Sequence, residues 1–209
     1  MHLLMPTMID GLNCHKFKNS RMELKEYIKF EKVDFHEEVF ERCEYDNCTF
    51  ENCILSQIDI SSSIFVDCVF NNCDLSMANI GKVVFRNVLF RNCKMLGLQF
   101  DVANEFGLHF TFDGCILNNA SFSNTKIKST HFMHSQLREV DFTGSDLSES
   151  MFENCDLHHA IFDTSNLEKV DFRTSLHYSI DPQRNKIKKS KHSYPALLGL
   201  LDQFDITAE

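Results

Sequence analysis

Phe30-Glu-Lys-Val-Asp-Phe35-His-Glu-Glu-Val-Phe40-Glu-Arg-Cys-Glu-Tyr45-Asp-Asn-Cys-Thr-Phe50 decides the fold. Every fifth residue is large and aromatic. The rule continues through Leu55, Ile60, Phe65, Phe70, Leu75, Ile80, Phe85, Phe90, Met95 and Phe100. It resumes in a new phase at Phe112 and holds through Leu117, Phe122, Ile127, Phe132, Leu137, Phe142, Leu147, Phe152, Leu157, Phe162, Leu167 and Phe172. Neither the period of a helix nor that of a strand explains a spacing of five. A short fixed period marks a solenoid, in which each unit buries its apolar side chain by stacking on its neighbours.

A second register lies two residues before each large one. Small residues fill it: Cys43, Cys48, Cys53, Cys68, Cys73, Cys93 and Cys115, then Ser145, Ser150, Cys155 and Ser165. The remaining positions are mostly polar. Each unit therefore points one large and one small side chain inward and three outward.

This pattern resembles the pentapeptide-repeat family. Its clearest units are Cys73-Asp-Leu-Ser-Met, Ser145-Asp-Leu-Ser-Glu, Cys155-Asp-Leu-His-His and Ser165-Asn-Leu-Glu-Lys. The resemblance implies an all-β solenoid, a right-handed quadrilateral β-helix with four units per coil, over residues 28–176. On such a coil, residues twenty apart stack, so the phenylalanines should form ladders on opposite walls.

The ends depart from the repeat. Residues 1–27 keep it poorly and read as an N-terminal cap with an irregular first coil, since an open solenoid end needs cover. Residues 177–209 read as a C-terminal module with a short α-helix at about 194–204, capped by Ser193 with Pro195 in its first turn. Ala196, Leu197, Leu200, Leu201 and Phe204 form its apolar stripe. Such a helix either covers the last coil or makes a two-fold interface. Between them the phase breaks at 101–111, where Asn104, Glu105, Phe106 and Gly107 form either a bulged corner or a projecting loop.

No catalytic residues emerge. The sequence has no nucleophile elbow, Gly-rich phosphate loop or His-Glu-x-x-His motif, so an enzyme, a metal centre and a cofactor are not expected. Eight of the nine cysteines occupy the small inward register, and only Cys14 lies outside it. They read as buried thiols rather than zinc ligands or disulfides. His131, His134, His158 and His159 read as surface residues. No apolar run approaches the roughly 18 residues of a membrane helix, and a cytoplasmic protein without membrane contact is expected.

Charge bears on the partner. The tail from His177 holds five basic and four acidic residues, a net +1, so the body before it carries −10 of the chain's −9. An acidic body disfavours direct nucleic-acid binding, which depends on phosphate neutralisation. It suits presentation of carboxylates to a basic protein groove.

Cys73-Asp-Leu-Ser-Met-Ala-Asn and the tail Leu197-Leu-Gly-Leu-Leu-Asp-Gln-Phe-Asp-Ile resemble stretches of Qnr-type quinolone-resistance and McbG-type microcin-immunity proteins. That resemblance implies a homodimer joined through the C-terminal module at Leu197, Leu200, Leu201 and Phe204. It further implies mimicry of duplex DNA, binding to DNA gyrase or topoisomerase IV, and protection from quinolones or microcin-like poisons. The Thr-Thr-Arg loop sequence of enteric Qnr proteins does not occur here. The candidate acidic surface comprises Asp141, Asp146, Glu153, Asp156, Asp163, Glu168 and Asp171. The alternative is a structural or adaptor protein with an unrelated protein partner.

Overall fold

The computed structural model describes residues 22–204. The chain is an all-β right-handed solenoid whose strands are all parallel. Partners lie twenty residues apart, as in Phe30↔Phe50↔Phe70↔Phe90, so four five-residue units complete one coil. The coil therefore has four walls. The first holds Tyr45, Phe65 and Phe85, then Ile127, Leu147 and Leu167. The second holds the ladder from Phe30 to Phe172. The third holds Phe35, Leu55, Leu75 and Met95, then Leu117, Leu137 and Leu157. The fourth holds Phe40, Ile60, Ile80 and Phe100, then Phe122, Phe142 and Phe162. From Tyr45 to Phe172 all of these are buried.

Ring stacking follows the walls. Phe132 stacks on Phe112 at 5.1 Å and on Phe152 at 4.7 Å, while Phe100 stacks on Phe122 at 4.4 Å across the phase break. Facing ladders meet edge-on, as Phe132 meets Phe122 at 5.9 Å and Phe142 at 6.0 Å. This alternation matches the quadrupole preference of aromatic pairs.

The corners explain the polar positions. Two residues after most of the large side chains, the backbone turns left-handed, as at Asn47, Asn52, Asn92, Asn119, Asn124 and Asn154. Asn tolerates this region better than most residues, and Gly tolerates it freely. Gly114 and Gly144 occupy the same corner with φ of 66° and 67°. The inward thiols are satisfied by backbone: Cys93 Sγ donates to Phe70 O at 3.4 Å and Arg91 O at 3.3 Å. Ser175 Oγ does the same to Phe152 O at 2.7 Å. All eight described cysteines are free and buried, and Cys14 lies outside the described residues.

The phase break is one enlarged coil. Val88 pairs with Phe110 and Phe90 with Phe112, a spacing of 22 residues. Asn104 N still bonds Val83 O at 2.9 Å, so the chain leaves the wall only after it. Glu105, which stands where the first wall needs a large apolar group, is exposed, and Phe106 is 76% exposed. Phe110, at a small-residue position, fills the gap instead. Its ring lies 6.2 Å from Phe85 and 5.3 Å from Phe100. Residues 105–107 thus make a small outward excursion on the first wall.

At the N-terminal end the strand Leu24–Glu26 pairs with Glu44–Asp46, so the coil extends into the segment expected to hold a cap and an irregular first coil. Lys25 takes the large inward position there, and its ammonium lies 2.7 Å from Glu41. At the other end the coil does not stop at 176. Bridges Asn166↔Lys186 and Asp171↔Lys191 add a further coil with Asn185 and Ser190 at small positions. The expected α-helix is two 3-10 turns, Pro195–Leu200 and Asp202–Phe204. Ser193 makes no side-chain cap; the cap position falls to Tyr194.

His192 is the last rung of the second wall. Its ring stacks on Phe172 at 5.6 Å and 17°. Tyr178 Oη lies 2.8 Å from Nδ1 and Ser190 Oγ 2.9 Å from Nε2. Burial lowers its pKa, against a raising effect of the Asp171 carboxylate. The unfolded chain therefore takes the proton first, and stability is lost as pH falls below about 6.5. His192→Phe should continue the ladder and flatten the melting temperature between pH 7 and pH 5 relative to the native chain. Equal slopes for both proteins would assign that pH dependence elsewhere.

Candidate functional site

The seven candidate carboxylates do not converge. Asp146 and Glu168 flank the first wall, Glu153 and Asp171 the second, Asp156 the third, and Asp141 and Asp163 the fourth. Four of them serve the coil itself. Asp141, Asp146, Asp156 and Asp171 each accept the backbone N–H two residues on, from Thr143, Ser148, His158 and Arg173. Asp34, Asp59 and Asp74 do likewise. This is an Asx turn, in which the side chain stands in for a backbone acceptor. It explains why Asp or Asn so often precedes the large residue.

Most of these carboxylates also have cations beside them. Asp146 lies 3.2 Å from Lys128, Asp163 2.6 Å from Arg184, and Asp156 2.6 Å from Arg138. Asp171 is only 8% exposed, contrary to the outward placement expected, and is held by Arg173 at 2.7 Å and Lys191 at 3.6 Å. The Arg173 bond depresses its pKa. Burial raises that of Asp156, but His177 and Arg138 outweigh it and the net shift is downward. The charges of these four carboxylates are therefore largely compensated.

The chain's excess negative charge sits elsewhere. Residues 22–74 hold 13 acidic and 4 basic side chains, whereas residues 75–204 hold 14 of each. The first coils therefore carry −9. On the first wall Glu26 stands in direct register with Asp46, with Glu44 on the same strand and Asp67 one coil on at the corner. None of these four has an ion-pair partner among the described residues. Like charges directly opposite on neighbouring strands are destabilising. Charge summed over the whole body hides this patch, which stands out only coil by coil.

Three further features bear on function. Among the described residues, Glu23, Glu41 and Cys43 bring ligand atoms within 4.8 Å of one another, but the Lys25 ammonium already stands beside Glu41. On the C-terminal segment, Ala196 and Leu200 pack on the last coil, while Leu197, Leu198 and Phe204 are 43%, 47% and 50% exposed. Leu200 therefore does not share the outward face read from an α-helical stripe; the 3-10 turn rotates Leu198 into its place, and Leu201 is half-buried. No described helix is long and apolar enough to cross a membrane.

Comparison with known proteins agrees with this architecture. Three structures of QnrB1, a plasmid-mediated fluoroquinolone resistance protein, superpose on it. Two trypsin-treated variants give TM-scores of 0.58 and 0.59 at 18% identity, covering 89% and 90% of this chain and 100% of theirs. The full-length protein gives 0.51 at 18% identity, covering 88% of this chain and 100% of its own. At that identity the likeness concerns the fold. No curated protein matches this chain in sequence. The pentapeptide repeat region matches residues 24–100 and 108–179, leaving out the excursion between them. With its four-walled coil and this match over most of its length, the chain belongs to the pentapeptide-repeat family.

Proposed function

We propose that this protein binds a type II topoisomerase, DNA gyrase or topoisomerase IV, in the place of duplex DNA and guards it from quinolones or microcin-like poisons. The observation that carries the reading is the uncompensated acidic wall of the first coils. Glu26 and Asp46 are stacked like charges on a rigid rod, an arrangement that stability alone does not favour. A basic groove made for phosphates would neutralise them. The exposed Leu197, Leu198 and Phe204 offer an apolar end on which a second copy could seat, which gives a homodimer with its acidic coils at the two far ends.

The test is supercoiling by purified gyrase with and without ciprofloxacin. The native chain should restore supercoiling to the poisoned enzyme. Neutralising Glu26, Glu44, Asp46 and Asp67 to Gln or Asn should abolish the rescue. The change Asp141→Asn with Asp146→Asn, Asp156→Asn and Asp171→Asn should leave most of it, because Asn keeps the turn acceptor and three of the four lost charges, those of Asp146, Asp156 and Asp171, were already paired. Rescue should weaken as salt rises, since the Debye length is about 8 Å at physiological ionic strength. No effect of the native chain on either reaction would favour an adaptor with an unrelated partner.

A further inference from the structure

The groove between the last coil and the C-terminal segment holds chemistry that neither the coil nor the proposed partner requires. It has a volume of about 390 Å³ and is lined by His158, His159, His177, Tyr178 and Asp202, among others. His158 and His159 are consecutive at a left-handed corner, with ring centroids 3.9 Å apart. His177 follows nearly one coil later, its ring 5.8 Å from that of His158.

The position of His177 is unusual. It stands twenty residues after Leu157, where the third wall has buried Leu117, Leu137 and Leu157 in turn. Here the backbone is left-handed, with φ 60°, and the imidazole points out with 60% of its side chain exposed. Tyr178 enters the core in its stead, 3% exposed. The coil thus turns an imidazole into the groove at a site where its own rule would bury a leucine.

His177 is also oriented. Its Nδ1 lies 2.9 Å from Asp156 Oδ1, and Asp156 is itself fixed by Arg138 Nε at 2.6 Å. A carboxylate partner on Nδ1 places the proton there and leaves the Nε2 lone pair free. This is the arrangement that aims imidazole ligands in metal sites.

We propose that His158, His159 and His177, joined by Asp202 from the C-terminal segment, bind one divalent transition-metal ion of the zinc class. Three imidazoles and one carboxylate match the donor set and coordination number of Zn²⁺. The ligand atoms stand apart in the ion-free chain; His177 is held by Asp156, while the exposed His158, His159 and Asp202 would reach its Nε2 side by side-chain rotation on the ps–ns scale, with no movement of the coil. Because Asp202 is the one donor outside the coil, the ion would fasten the 195–204 segment to the last coil.

Untagged, metal-stripped protein titrated with ZnCl₂ by calorimetry should take up one ion per chain. His158→Gln with His177→Gln should weaken uptake by at least about tenfold, while His131→Gln with His134→Gln, a second exposed pair, should not change it. Circular dichroism melting checks that the variants remain folded. Zinc should also slow amide exchange across 195–204 in the native chain and not in Asp202→Asn. Absence of zinc uptake by the native chain overturns the proposal. So does undiminished uptake by the His158/His177 variant, which would move the ion to another cluster such as Glu23, Glu41 and Cys43.

Discussion

Phe132→Ala should destabilise the folded chain by about 3–5 kcal/mol, the cost of truncating a buried phenylalanine. The ring is fully buried and touches four others: Phe112 and Phe152 along its ladder, Phe122 and Phe142 across the core. The upper end of the range applies because the hole cannot collapse. Neighbouring coils are pinned by parallel pairing on both sides, with Phe132 in register with Phe112 below and Phe152 above. The spacing of a sheet, about 4.8 Å, is set by backbone hydrogen bonds and does not shrink to close a gap. In a solenoid the loss also weakens two interfaces at once, since each coil is stable mainly through its neighbours. Chemical denaturation with an unchanged m-value measures it. Leu176→Ala, at a 57% exposed position on the last coil, is the control and should stay within about 0.5 kcal/mol. A loss below 1 kcal/mol for Phe132→Ala would mean that the rung is not held between rigid coils.

The walls were legible from sequence because their signal is redundant. Each position in the ladder repeats every twenty residues, so one ambiguous unit is outvoted by its neighbours. Single-position devices had no such redundancy. Phe110 replaces the missing inward group at 105 from a small-residue position, and no period marks it. The last coil was missed because His177, Asn185, Ser190 and His192 stand where Leu, Ser, Val and Phe stand one coil earlier. Asn185 and Ser190 work by hydrogen bonding rather than by apolar burial, as Asn185 Nδ2 shows by donating to Phe162 O at 2.8 Å, and His177 leaves its place in the core to Tyr178. From sequence the candidate carboxylates read as one acidic surface for a partner because their positions face outward. The recurrence of Asp or Asn directly before the large residue was the available clue that several of them close turns.

Gly199→Ala should detach the C-terminal segment while leaving the coil intact. A Cβ built on Gly199 would lie 2.1 Å from Tyr178 O and 3.0 Å from the Tyr178 ring. The first contact is with backbone, so no side-chain rotation relieves it. Tyr178 cannot retreat, because its ring is 5.2 Å from Phe172 in the closing layer of the core. The added methyl must therefore push the 195–204 segment outward, which breaks the bond from Ile180 N to Gly199 O at 2.9 Å. Ala196 and Leu200 would lose their seat on the last coil with it. Amide exchange at Ile180 and across the segment should speed up by at least an order of magnitude, since a loss of about 1.4 kcal/mol is already tenfold. The far-ultraviolet signature of the coil should persist. Light scattering then tests the proposed dimer on the same sample: if Leu197, Leu198 and Phe204 seat a second copy, displacing the surface that carries them should yield monomers. Native exchange rates at Ile180 in the variant would show that the segment accommodates the methyl. A detached segment in a chain that still dimerises would move the interface away from it.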